Sequence, residues 1–282
     1  MRAPWLTDAQ AAAETDTWRA KAAEIERLQA ELETHRQMLA AATEAAPAAP
    51  AAGTDPDRAM IRRTEFASGL RVVSERMPGV RSVALGFWVL AGSCDEPPDI
   101  SGSSHFLEHL LFKGTSSRSA QDIAEAFDAV GGNLNAYTAK ETTVFHARIL
   151  DRDLPMAVAH LADMFRDSTL RPADLEAERQ VILEEINMYE DAPDELVHDL
   201  FQETLWPDHP LGRPILGTKA SITGATRAKV LRFYRRHYRP ESLVVAAAGG
   251  VDHDALVRLV RRHLDAGRVK GGAATARPRA VA

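Results

Sequence analysis

From residue 70 onward the apolar positions fall into two periods. Residues 70–75 and 82–91 alternate or run continuously apolar, which predicts strands. Residues 133–138 and 141–149 predict a strand pair, with Val144, His146 and Arg148 on one side and Phe145, Ala147 and Ile149 on the other. Residues 243–248 predict one more strand. Between these, helical spacing predicts helices at 101–112, 119–130, 154–168, 173–190, 194–205 and 225–237, and a last one to about residue 266. Ser119 with Asp122 caps the second of these, and Gly131-Gly132 stops it. The resulting fold class is α/β, an α+β sandwich in which a mixed, largely antiparallel sheet packs against several long helices.

The first 57 residues have a different pattern. Residues 1–42 predict an exposed helical extension, in which Ile25, Leu28, Leu32 and Leu39 recur at coiled-coil spacing with His35 in the seam. Residues 43–57 are Ala/Pro-rich and predict a linker. The compact domain is expected over 58–266, and the Gly/Ala/Arg-rich tail 267–282 is expected to be disordered.

Composition narrows the function classes. With 45% apolar and 26% charged residues the chain is an ordinary globular one. A single cysteine, Cys94, excludes an intramolecular disulfide and a Cys-based metal site, and it fits a reducing compartment. No apolar run reaches 18 residues, so no membrane span is predicted. The Ala-rich N-terminus is broken throughout by charges, unlike a signal peptide, and a cytoplasmic location is expected. The net charge of −6 resides mostly in residues 1–57, so it says little about a substrate. The basic residues beyond 227 lack interleaved aromatics and read as solvated helix faces, not a nucleic-acid surface. No Gly-x-Ser-x-Gly is present, and Gly249-Gly250 lacks the rest of a dinucleotide fingerprint.

The chemistry concentrates in the helix at 101–112. There His105-x-x-Glu108-His109 places two imidazoles one turn apart on one helix face. A divalent metal needs ligands converging at about 2 Å, and such a pair supplies two of them. Glu108 lies one position off that row, within reach of a water beside the metal. Phe106, Leu107, Leu110, Leu111 and Phe112 surround the triplet with apolar groups, so burying it is costly unless a cation offsets the charge. A lone histidine on such a face is more often a satisfied core residue, and His146, His160, His198 and His237 are read that way.

A third ligand comes from the helix at 173–190. Glu178 and Glu185 lie seven residues apart on the face of Leu175, Ile182 and Ile186, whereas Glu176, Glu184 and Glu190 are better placed for solvent. Glu185 is therefore the candidate for the missing ligand.

These residues resemble the pitrilysin-type (inverzincin) zinc metallopeptidases, in the processing-peptidase branch and its N-terminal catalytic half. The resemblance covers about residues 61–266. It is carried by His-Phe-Leu-Glu-His-Leu-Leu-Phe-Lys-Gly-Thr at 105–115, Gly-Gly-Asn-Leu-Asn-Ala-Tyr-Thr at 131–138, the segment 178–190 and His-Pro-Leu-Gly-Arg-Pro-Ile at 209–215. It implies one Zn²⁺ per chain held by His105, His109 and Glu185, with the fourth position open. It implies Glu108 as general base, Glu178 as the group orienting a ligand histidine, and Asn135-Ala136 on a strand that pairs with an extended substrate. Read without the resemblance, Asn135 is an ordinary turn or strand-end residue. The implied activity is zinc-dependent endopeptidase action on extended peptides or protein segments. Family enzymes carry a second, similar half, so a homologous partner chain or a missing C-terminal half is expected. Phe145 stands where the family often has Tyr. The alternative is a non-catalytic peptide-binding or partner subunit of a processing-peptidase-like complex.

Overall fold

The computed structural model describes residues 61–264; the expected helical extension at 1–42, the linker at 43–57 and the tail at 267–282 lie outside the described residues. Six strands form one sheet: β1 (Ile61–Glu65), β2 (Arg71–Arg76), β3 (Ser82–Val89), β4 (Asn133–Thr138), β5 (Thr143–Leu150) and β6 (Leu243–Gly249). Their order is β1-β2-β6-β3-β5-β4, and β2–β6 is the parallel pair in an otherwise antiparallel ladder. The sheet is therefore mixed and largely antiparallel, as the strand pattern predicts.

Alternation decides which face is covered. Val83, Leu85, Phe87 and Val89 of β3 are buried, as are Phe145, Ala147 and Ile149 of β5 and Leu243 and Val245 of β6. The register aligns them: Phe87 lies opposite Phe145 on one side and Val245 on the other. The opposite face carries Ala84, Gly86, Ala246 and Ala248, walled by Trp88, Tyr137 and His146, in an open trough of about 450 Å³.

Eight helices are described. They are α1 (Ser103–Leu111), α2 (Ala120–Asp128), α3 (Leu154–Asp167), α4 (Pro172–Glu190), α5 (Pro193–Leu205), α6 (Lys219–Gly224), α7 (Arg227–His237) and α8 (His253–Leu264). Helix α3 packs on α8, β3 and β5, and α8 also packs on β2. Helix α1 packs against α4, α7, β4 and β5. Phe106, Leu107, Leu110 and Leu111 of α1 are fully buried, and each is worth roughly 1.5–3 kcal/mol relative to exposure.

Two elements depart from the sequence expectation. Strand β1 reads Ile-Arg-Arg-Thr-Glu, and its one apolar side chain is exposed, so no period marks it. Helix α6 has six residues, too few to show a helical period, and is signalled by the capping pair Thr218 and Ser221.

Candidate metal centre

Helix α1 begins after Gly102 and ends at Leu111, so its two turns carry the whole His-x-x-Glu-His segment. The imidazole rings of His105 and His109 lie 4.6 Å apart between centroids. Helix α4 starts with Pro172, which suits the first helical turn, and buries the stripe Leu175, Glu178, Arg179, Ile182 and Ile186. That burial turns Glu178 and Glu185 toward α1.

Three ligand atoms converge. His105 Nε2 lies 3.6 Å from Glu185 Oε2, and His109 Nε2 lies 3.7 Å from Glu185 Oε1. Atoms of His105, His109 and Glu185 all fall within 4.8 Å of one another. Ligands at about 2.0–2.2 Å from a tetrahedral ion sit roughly 3.3–3.6 Å apart. Glu185 Oε2 is buried with no hydrogen-bond partner among the described residues, an orphan that a cation would satisfy. Burial, reinforced by the neighbouring His109, pushes His105 down to about 4, so its ring is a neutral ligand at ordinary pH. Two imidazoles and a carboxylate suit zinc, and the chain's own residues fit the group.

Glu178 Oε2 lies 2.9 Å from His109 Nδ1. If His109 donates there from Nδ1–H, its Nε2 lone pair faces the cluster. Lys113 Nζ sits 2.7 Å from the other oxygen of Glu178 and balances its buried charge. Glu108 stands beside the cluster, and Thr138 Oγ1 donates to its Oε2 at 2.6 Å. Burial raises Glu108 above the usual carboxylate range, and the Thr138 bond opposes that rise.

Asn135 and Ala136 lie on β4, the edge strand of the sheet, whose last residue is Thr138. Asn135 Oδ1 accepts from the Ala136 N–H at 2.8 Å, so a peptide that reads this N–H exchanges it for that bond. Phe145 is buried against Phe112 and Tyr238, on the covered face. Among the described residues the other histidines are not part of the cluster: His160 Nδ1 meets the Met156 carbonyl, and His237 stacks on Phe233.

Lys113 and Thr138 were not anticipated. Lys113 continues the i, i+4 row of His105 and His109, a spacing signal present in the sequence. Thr138 is brought to Glu108 by the packing of β4 on α1, which no local pattern encodes.

The chain matches the model of the insulinase family, peptidase family M16, over residues 71–219, and the model described as the M16 inactive domain over 224–280. It is 53% identical over 201 residues to an uncharacterised zinc protease of Streptomyces coelicolor, covering 71% of this chain and 44% of the relative. A Mycobacterium tuberculosis zinc protease, also uncharacterised, is 51% identical over 225 residues, covering 80% of this chain and 50% of the relative. The chain thus spans about half the length of the curated relatives it matches. Among solved structures, a protease from Helicobacter pylori superposes with a TM-score of 0.73 at 24% identity, over 78% of this chain and 53% of that one, a likeness of fold. No described helix is long and apolar enough to cross a membrane. With the M16 model covering more than half of its residues, the chain belongs to the insulinase family of peptidases.

Proposed function

We propose that the chain is the metal-bearing half of a zinc endopeptidase that cleaves extended peptides. The observation that carries this reading is the convergence of His105 Nε2, His109 Nε2 and Glu185 on one point beside Glu108. His105, His109 and Glu185 would hold one zinc per chain. When bound, the ion supplies Lewis-acid polarisation of a water and of the scissile carbonyl.

The remaining work falls to the chain's own residues. Glu108 takes the proton of the attacking water and holds it until the leaving amine accepts it. Its raised proton affinity suits that second step, and Thr138 keeps the carboxylate aimed while it acts. Glu178 fixes the tautomer and tilt of His109. Asn135 and Ala136, on β4 at an edge of the sheet among the described residues, would align the substrate as an added strand and recognise main chain more than side chains. A processing-peptidase-like enzyme with two similar halves would be completed by the rest of a longer polypeptide or by a homologous partner chain, in keeping with relatives about twice as long.

The test is hydrolysis of a quenched fluorescent peptide library by the zinc-loaded chain, beside Glu108→Gln. Chelator-sensitive cleavage that disappears in the variant, with zinc still bound, is the expected result. Peptide binding without turnover in both proteins would favour the non-catalytic subunit instead.

A further inference from the structure

We propose that Glu96 is a positioning residue for the metal centre, holding the first turn of α1 so that His105 and His109 meet Glu185. The inference rests on the metal-centre reading above and adds a residue outside the cluster. The first turn of a helix leaves N–H groups without partners, and a side-chain acceptor normally takes one of them. Helix α1 has Gly102 at that position and no side-chain cap of its own. Glu96, 3% exposed, supplies the acceptors from outside the helix. Its Oε2 accepts from the Gly102 N–H and its Oε1 from the Ser104 N–H, each at 2.6 Å. Bonds to a carboxylate at the positive end of a helix are among the strong ones.

The surroundings leave no room for a substitute cap. Gly102 has a φ of 90°, and a Cβ there would lie 2.5 Å from the Leu216 carbonyl oxygen. A Cβ on Gly217 would lie 2.3 Å from the Ser101 carbonyl oxygen. Glu96 is itself held independently of α1: Arg213 Nη1 donates to its carbonyl at 2.8 Å, and Lys140 Nζ donates to the Arg213 carbonyl at 2.6 Å. The same neighbourhood ties in α4. Ser221 of α6 donates to the Ser101 carbonyl at 2.7 Å, while Arg179 of α4 donates to the carbonyls of Ile222, Thr223 and Ala225.

His105 is the third residue of α1, inside the turn whose N–H groups Glu96 holds. Metal ligands tolerate displacements of only about 0.2 Å. Loosening that turn therefore falls first on His105 and then on His109.

The experiment titrates the metal-free full chain with zinc against a chromophoric chelator, and with cobalt(II) to record the ligand-field spectrum. Glu96→Gln keeps the shape but turns an amide NH₂ toward an N–H. It is expected to weaken zinc binding about 10–100-fold, the scale of losing an outer partner of a metal site, and to alter the cobalt spectrum. Glu96→Asp, one methylene shorter, falls between. Leu161→Ala, a core change on α3, is the control: it lowers the melting temperature but leaves zinc affinity and the cobalt spectrum as in the wild type. Wild-type affinity and spectrum in Glu96→Gln would overturn the proposal, as would an equal loss of affinity in Leu161→Ala. Should Glu96→Gln fail to fold by circular dichroism, Glu96→Asp decides by the same criteria. A wild-type chain that binds no zinc overturns the metal-centre reading itself.

Discussion

Helices α1 and α5 reverse what their compositions suggest. Helix α1 carries two histidines and a glutamate, yet six of its nine residues are buried. Helix α5 carries Val197, Leu200, Phe201 and Leu205 at helical spacing, yet among its thirteen residues none is buried, and Phe201 is 63% exposed. An apolar stripe thus specifies a helix without specifying that it packs. The difference lies in what each helix has to pack against. Helix α1 is enclosed by the sheet, α4 and α7, and His109, Glu108 and the N–H of Ser104 find partners in Glu178, Thr138 and Glu96. Helix α5 lies against α4 and the turn at Pro210–Gly212, and none of its own residues is buried by them. Buried contacts are concentrated on α1, and the two helices are expected to respond differently to substitution.

The largest effect is expected at the join of α1 and α4. Glu185→Gln replaces the proposed carboxylate ligand beside His105 and His109 with an amide. Zinc affinity is expected to fall by more than the ~10–100-fold typical of an outer partner, with the circular dichroism spectrum of the metal-free chain unchanged. Competition titration checks it; wild-type affinity would remove Glu185 from the ligand set. Next comes Leu110→Ala on the buried side of α1. That residue is fully enclosed, and the truncation is expected to cost about 2–5 kcal/mol in denaturant unfolding. A cost below 1 kcal/mol would mean that α1 is not packed as described.

Much of this was legible in advance, and the reasons differ by residue. Strand β4 appears where residues 133–138 predict it, and the helices over 154–168, 173–190 and 194–205 differ from their expected bounds by no more than a residue. In each case a long periodic run fixes the element. His105, His109 and Glu185 come together from two spacing arguments, four residues on one helix and seven on another. Glu96 had no such signal. It reaches Gly102 and Ser104 across a short 3-10 turn at Pro98–Ile100, a path with no helical or strand period. Periodicity likewise leaves the burial of α5 undetermined, since it reports a face and not its neighbour.

A third effect, of intermediate size, depends on pH. Burial raises Glu96 to about 7, against the pull of the Ser104 and Gly102 N–H groups and Arg213. Lys140 and Tyr238 also feel its charge. A carboxyl whose folded value exceeds the unfolded one binds more protons in the folded state. Its contribution is therefore complete below about pH 4.5 and lost as pH rises to about 7, by on the order of 3 kcal/mol at most. His105, held down to about 4, acts in the opposite direction over an overlapping range. The readout is consequently a difference: the stability of metal-free wild type minus that of Glu96→Gln should decline from pH 4.5 to 7.5. A difference that stays level across that range would show that Glu96 does not titrate in it.

The smallest effect is expected on α5. Phe201→Ser exchanges one of the largest apolar side chains for a small polar one, a change that in a packed helix costs several kcal/mol. At 63% exposure only the smaller part of its area leaves water on folding, so the burial contribution is about 1–2 kcal/mol. Phe and Ser have similar helix propensities, so the backbone preference cancels. Stability in urea unfolding should fall by about 1–2 kcal/mol, less than for Leu110→Ala. A loss above about 3 kcal/mol would mean that Phe201 is buried in solution against something that α1 does not need, and the contrast between the two helices would then rest on partners and not on packing. A small loss beside a crippled Leu110→Ala would establish that an apolar stripe contributes to stability in proportion to the surface that closes over it.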